Sequence, residues 1–149
     1  NTFEHSFTSK NVVVEGYPRN DIFFRECTDL DKLTIDKKVF DYEIDFQKKG
    51  GKLIVYCPTW RDKAEEQDKI LPFNQEQLVA FLRENNFLLI IKKHHRDPRV
   101  FYPKSCDHVK VYDYRSDIYL LLKYTDLLIT DYSSIFFDFL LTGSDLHWL

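Results

Sequence analysis

The pattern of this 149-residue chain predicts an α/β fold, a Rossmann-like domain with an open, mostly parallel sheet. Three observations lead there. Short runs rich in Leu, Ile and Val are continuously apolar rather than alternating, as in strands covered on both faces. Stretches with apolar residues at helical spacing lie between them. Their order, β-α-β-β-α-β-α, is that of a sheet layered between helices, and such sheets bind ligands beyond the carboxyl ends of their strands.

A short β-rich run, Val12-Val13-Val14, precedes the turn signal Gly16-Tyr17-Pro18. Residues 25–48 are charged and ambiguous, with a helical reading open. Leu53-Ile54-Val55-Tyr56-Cys57 reads as a strand closed by Pro58. Asn74 can then cap a helix running to about Asn85, with Gln77 returning the bond and Phe73 stapling to Leu78. Leu78, Phe81 and Leu82 form its expected buried face. Phe87-Leu88-Leu89-Ile90-Ile91 and Val109-Lys110-Val111-Tyr112 are the next strands. Ser116 is the expected cap of a helix carrying Ile118, Leu121 and Leu122. The strand Asp126–Thr130 and a helix from about Ser133 to Thr142 follow, and His147-Trp148-Leu149 reads as part of another strand.

Composition narrows the function. The chain is 44% apolar, 16% aromatic and 30% charged, the profile of one globular domain. A net charge of −3 supplies no overall basic field for nucleic acid or an anionic membrane. Cys27, Cys57 and Cys106 are odd in number and lack CxxC spacing, which points to reduced thiols. No apolar run approaches the roughly 20 residues of a membrane span, and the start has no signal-peptide pattern. With no Met in the sequence, the expectation is an internal fragment: residues 1–149 as a single nucleotide-binding domain, with 1–15 entering from a missing N-terminal half.

The carboxyl ends of the expected strands single out three stretches: Pro58-Thr59-Trp60-Arg61-Asp62, Lys92-Lys93-His94-His95-Arg96 and Asp131-Tyr132-Ser133-Ser134. Ser133 and Ser134 stand where strand turns to helix, where exposed N–H groups favour phosphate; the alternative is that Ser133 only caps the helix. Ser134, Asp138 and Thr142 form one polar stripe on an otherwise apolar helix. Asp138 there can accept hydrogen bonds from ribose hydroxyls, or pair with a core Tyr or Arg. His94, with Lys92, Lys93, Arg96 and Arg99, can hold a pyrophosphate, or the stretch is a solvated basic loop. Trp60 can simply pack while Arg61 pairs with Asp62. A metal site from His94, His95, Cys106 and His108 matches no standard spacing.

Taken in order, Gly16-Tyr17-Pro18-Arg19-Asn20-Asp21, Pro58-Thr59-Trp60-Arg61-Asp62, Lys92-Lys93-His94-His95 and Thr130-Asp131-Tyr132-Ser133-Ser134 resemble the motifs of the CDP-glycerol glycerophosphotransferase family. The family's Pro after the loop His is His95 here, and its Gly-Lys-Pro before the next strand is Gly143-Ser144-Asp145. The resemblance implies one half of a GT-B fold. It implies transfer of glycerol phosphate from CDP-glycerol to the hydroxyl of a growing teichoic-acid-like polymer, with release of CMP. His94 would then be the catalytic contact to the pyrophosphate, and Thr59, Arg61, Arg96, Arg99, Asp131, Ser133, Ser134 and Asp138 would bind substrate. CDP-glycerol is the donor substrate; no cofactor, metal or nucleic acid is implied. The partners implied are a CDP-activated polyol and a lipid-linked polymer acceptor, with the enzyme cytoplasmic and peripheral to the membrane through parts outside this chain. Homo-oligomerisation is open, since an uncovered edge strand and apolar surface can be hidden by self-association. The rivals are a related transferase using CDP-ribitol or a sugar nucleotide, and a non-catalytic nucleotide-binding module.

Overall fold

The computed structural model describes residues 13, 15–59, 74–92 and 105–148. Five strands, β1 (Lys52–Cys57), β2 (Phe87–Lys92), β3 (Val109–Tyr112), β4 (Leu127–Thr130) and β5 (Asp145–Trp148), pair in parallel in the order β3-β2-β1-β4-β5. The chain steps outward from β1 through β2 to β3, then returns across the sheet to β4 and β5. Strand order therefore reverses between β1 and β4, the point at which sheets of this kind form a ligand crevice beyond their carboxyl ends.

The continuous apolar runs bury both faces of the sheet. Leu53, Val55, Cys57, Leu88, Ile90 and Leu128 face one side, packed with Phe40 of α1 (Lys37–Lys48) and with Leu120, Leu121 and Leu122 of α3 (Tyr119–Lys123). Ile54, Tyr56, Leu89, Ile91 and Val109 face the other side, packed against Leu82, Leu78 and Val79 of α2 (Gln75–Glu84). Burial pushes the Cys57 thiol up to about 12, so it stays protonated and unreactive.

Helix ends follow local chemistry. Asn74 caps α2, its Oδ1 accepting from the Glu76 amide at 2.8 Å, and Asn85 ends the helix as expected. Phe73 lies outside the described residues. α1 ends in a Schellman turn: Gly51 N–H bonds Phe46 O at 3.1 Å and Gly50 N–H bonds Gln47 O at 2.9 Å, with Gly50 at φ +82°. A Cβ on Gly51 would meet Cε1 of Phe46 at 2.1 Å. Gly51→Ala is therefore expected to lower stability by about 1–3 kcal/mol in a urea melt, the usual range for overpacking.

Several expectations change. The ambiguous stretch 25–48 becomes a short 3-10 turn, Asp31–Leu33, and then α1. Ser116 does not cap α3, because the helix starts two residues later than expected: its N-cap position falls on Ile118 without a side-chain bond, and Asp117, one residue earlier, takes the Tyr119 amide on Oδ1 at 2.8 Å. Phe81 is exposed, 52% of it open to solvent, since Val79 and Leu82 already fill the face toward β2. Val13 is irregular and exposed, while Val12 and Val14 lie outside the described residues. The last helix splits into α4 (Ile135–Phe139) and a 3-10 turn, Leu140–Thr142. Its buried members are Asp138 and Phe139, whereas Phe137, Leu140 and Leu141 are exposed, so it is not an enclosed helix.

Candidate functional site at the carboxyl edge

The loops after β1 and β4 meet where the strand order reverses. Asp131 follows β4 directly and is buried; its Oδ1 accepts the Thr59 amide from the loop after β1 at 2.7 Å. Thr130 closes the same junction from below, its hydroxyl donating to Cys57 O at 2.7 Å. Two of the expected site residues, Thr59 and Asp131, are thus joined by a hydrogen bond across the crevice. Beside them Tyr132 is 81% exposed, Ser133 half-buried and Ser134 exposed.

Ser133 bends the chain into α4. Its amide bonds Asp131 O, and its Oγ accepts weakly from the Ile135 amide at 3.4 Å. Ser134 occupies the N-cap position without a side-chain cap bond, which leaves its hydroxyl open to other partners. The α-helical part is only five residues long, so its dipole is weaker than a long final helix would have supplied.

Asp138 lies one turn in and is 4% exposed. Its Oδ2 accepts from Arg19 Nη2 at 2.9 Å and from the Tyr119 hydroxyl at 2.7 Å, and its Oδ1 accepts from Asn20 Nδ2 at 2.8 Å. Of the two readings left open by the sequence, this geometry fits pairing with a Tyr and an Arg. Burial alone would raise the Asp138 carboxyl, but the hydrogen bonds from Tyr119 and Asn20 and the Arg19 charge outweigh it and hold the group below its ordinary value of 3.8. Of the rest of the polar stripe, Thr142 donates to Phe139 O at 2.8 Å within its own turn.

Lys92, at the end of β2, turns inward. Its Nζ donates to the carbonyls of Asp113, Tyr114 and Ser116 at 2.8, 3.2 and 2.5 Å, and lies 4.9 Å from the Tyr112 ring centroid. Desolvation lowers its pKa, and the side chain is committed to shaping the β3–α3 loop. Arg61, His94, Arg96 and Arg99, with Trp60 and His95, lie outside the described residues. His108 is structural: its Nδ1 sits 2.8 Å from Phe87 O and its ring packs edge-on against Phe46. Among the described residues no cluster of three or more His, Cys, Asp or Glu is arranged to hold a metal, and no helix is long and apolar enough to cross a membrane.

Arg19, Asn20 and Tyr119 are the site-adjacent residues that sequence reasoning left without a role. The signal for the first two was present, since both lie in the Gly16–Asp21 motif.

A family model described as CDP-Glycerol:Poly(glycerophosphate) glycerophosphotransferase matches residues 1–143. The chain is 35% identical over 143 residues to a teichoic acid glycerol-phosphate primase of Bacillus subtilis (strain 168), covering 93% of this chain and 34% of that protein. It is 33% identical over 139 residues to a teichoic acid poly(ribitol-phosphate) polymerase of Bacillus spizizenii (strain ATCC 23059 / NRRL B-14472 / W23), covering 89% of this chain and 21% of that one. A structure of the wall teichoic acid polymerase TagF matches with a TM-score of 0.59 at 22% identity, over 94% of this chain and 34% of TagF, a likeness of fold. The chain spans about a third of the length of three of the glycerol-phosphate relatives it matches and 17% of a fourth.

Proposed function

The chain belongs to the CDP-glycerol:poly(glycerophosphate) glycerophosphotransferase family, and we propose that it forms the donor-nucleotide half of a teichoic acid polyol-phosphate transferase. The observation that carries this is the Thr59–Asp131 bond across the point of strand-order reversal. It joins two of the four family motifs at the place where such sheets bind nucleotides.

In this reading the donor is CDP-glycerol. An acceptor hydroxyl on the growing, lipid-linked polymer attacks the phosphorus of the glycerol phosphate. A new P–O bond forms as the bond to CMP breaks, and the hydroxyl proton passes to a base outside the residues named here. Catalysis rests on positioning and charge neutralisation. His94, Arg96, Arg99 and Arg61 meet the pyrophosphate, Ser133 and Ser134 donate to phosphate oxygens, and Thr59 and Asp131 shape the crevice between them. Asp138 serves by anchoring Arg19 and Asn20, since its oxygens are already occupied. CDP-ribitol is the second reading, supported by the ribitol-phosphate polymerase among the relatives.

Calorimetric titration with CDP, UDP and ADP tests the donor site. CDP is expected to bind most tightly, and His94→Ala to weaken it by about tenfold, as for loss of one charged hydrogen bond. Equal affinity for all three nucleotides would remove the cytidine assignment. The 149-residue chain alone is expected to show no turnover of CDP-glycerol, because it spans about a third or less of the glycerol-phosphate relatives; measurable CMP release would refute this.

A further inference from the structure

The Gly16–Asp21 stretch carries part of the family match yet has no chemical role in the scheme above. Its folded form suggests one. Arg19 reaches Asp138 through Nη2 alone, at 2.9 Å. Its guanidinium carbon lies 4.7 Å from the Tyr17 ring centroid and 5.5 Å from that of Tyr119. Two rings and one carboxylate therefore hold a side chain that would otherwise sample many rotamers. Nη1 and Nε have no acceptor among the described residues, and the side chain is 47% exposed. Asp138 does not depend on Arg19 alone, because Asn20 and Tyr119 also donate to it.

The location matters as much as these two donors. Tyr119 is the first residue of α3, and Asp138 is the fourth of α4. Both helices follow parallel strands and so begin at the carboxyl edge of the sheet. Arg19 touches both, which puts its guanidinium within about one helical turn, roughly 5 Å along the axis, of that edge.

We propose, on the premise that the carboxyl edge holds a nucleoside diphosphate, that Arg19 is an anion contact of the donor site, donating through Nη1 and Nε to the pyrophosphate. A planar fork matches two phosphate oxygens as a point charge does not. A fork already fixed by its neighbours loses little further freedom on binding. Asp138 is then a positioning residue, and the Gly16–Asp21 turn is the means of bringing a cation to the edge of the sheet from a remote part of the chain.

The test is calorimetry of the 149-residue chain with CDP, CMP and inorganic pyrophosphate, for the wild type, Arg19→Ala, Arg19→Lys and Asp138→Asn, each checked for folding by thermal melting. Arg19→Ala is expected to weaken CDP and pyrophosphate by about 10- to 100-fold, the range for losing a charge-assisted pair, and CMP least. Arg19→Lys should recover only part of the loss, and it carries the test if the alanine variant fails to fold. Asp138→Asn should lose less than Arg19→Ala, because the two donating nitrogens remain. If Arg19 were only a tether, CMP would fall together with CDP, and Asp138→Asn would match Arg19→Ala. Unchanged CDP affinity in Arg19→Ala would overturn the contact and leave the nucleotide site standing. Arg19-dependent binding of pyrophosphate without binding of CDP would keep the contact and remove the nucleotide premise. A wild type that binds none of the ligands would remove both.

Discussion

Asp138→Ala is expected to reduce the unfolding free energy by about 2–3 kcal/mol, as for two largely buried donors left without their acceptor. The carboxylate is buried and accepts from three side chains, so its removal leaves the Asn20 amide and the Tyr119 hydroxyl without their acceptor. Arg19 suffers less, because its half-exposed guanidinium can return to water. The loss should also be local. Asp138 links α4 to the Pro18–Phe23 turn and to the start of α3, so hydrogen exchange should accelerate in residues 17–24 while β1 and β2 stay protected. Asp138→Asn keeps the shape and should lose less. The pH dependence follows from the depressed carboxyl. Its contribution is fully present above the unfolded value of 3.8 and disappears as pH falls through the lower folded value. Urea melts of wild type and Asp138→Asn should therefore converge in strong acid. Equal stability of wild type and Asp138→Ala at pH 7 would mean that the three hydrogen bonds hold nothing together.

The same residues explain why the site was only partly legible in the sequence. The strands were readable because a sheet buried on both faces needs continuous apolar runs, and Leu53–Cys57 and Phe87–Ile91 supply them. The ends of Leu53–Cys57 and Asp126–Thr130 then picked out Thr59 and Asp131 as candidates without any knowledge of which strands are neighbours. Neighbours could not be read, since periodicity carries no information about strand order. Nor could the partners of Asp138, because Arg19 and Asn20 lie 119 and 118 residues away along the chain. Lys92 shows the opposite failure. Its position in a basic run suggested phosphate, but a lysine at a strand end can also satisfy carbonyls of the next loop, and three of them lie within reach.

Glu43 is the case where local reading and fold diverge most, and it carries the second large prediction. In a helix rich in Lys, Asp and Glu, a glutamate is expected on the solvated face. Glu43 instead points inward, 0% exposed, and among the described residues neither of its carboxyl oxygens has a hydrogen-bond partner. Desolvation, with a smaller push from Asp126, raises its pKa from 4.5 to about 9. At pH 7 it is therefore protonated in the fold and ionised in the unfolded chain, so unfolding releases a proton. The stability this group permits is fully present below 4.5 and is lost as pH rises through about 9, at a slope near 1.4 kcal/mol per pH unit. Glu43→Leu fills similar space without a group that must be kept neutral. It is expected to stabilise the chain by about 3 kcal/mol at pH 7, with a gain that grows between pH 5 and pH 8. Glu43→Gln removes the titration but keeps an amide in need of partners, so it should gain less while losing the same pH slope. Urea melts at pH 5, 7 and 8 separate the contributions. A constant difference between wild type and Glu43→Leu across that range would show that Glu43 titrates alike in both states and that its burial carries no charge penalty.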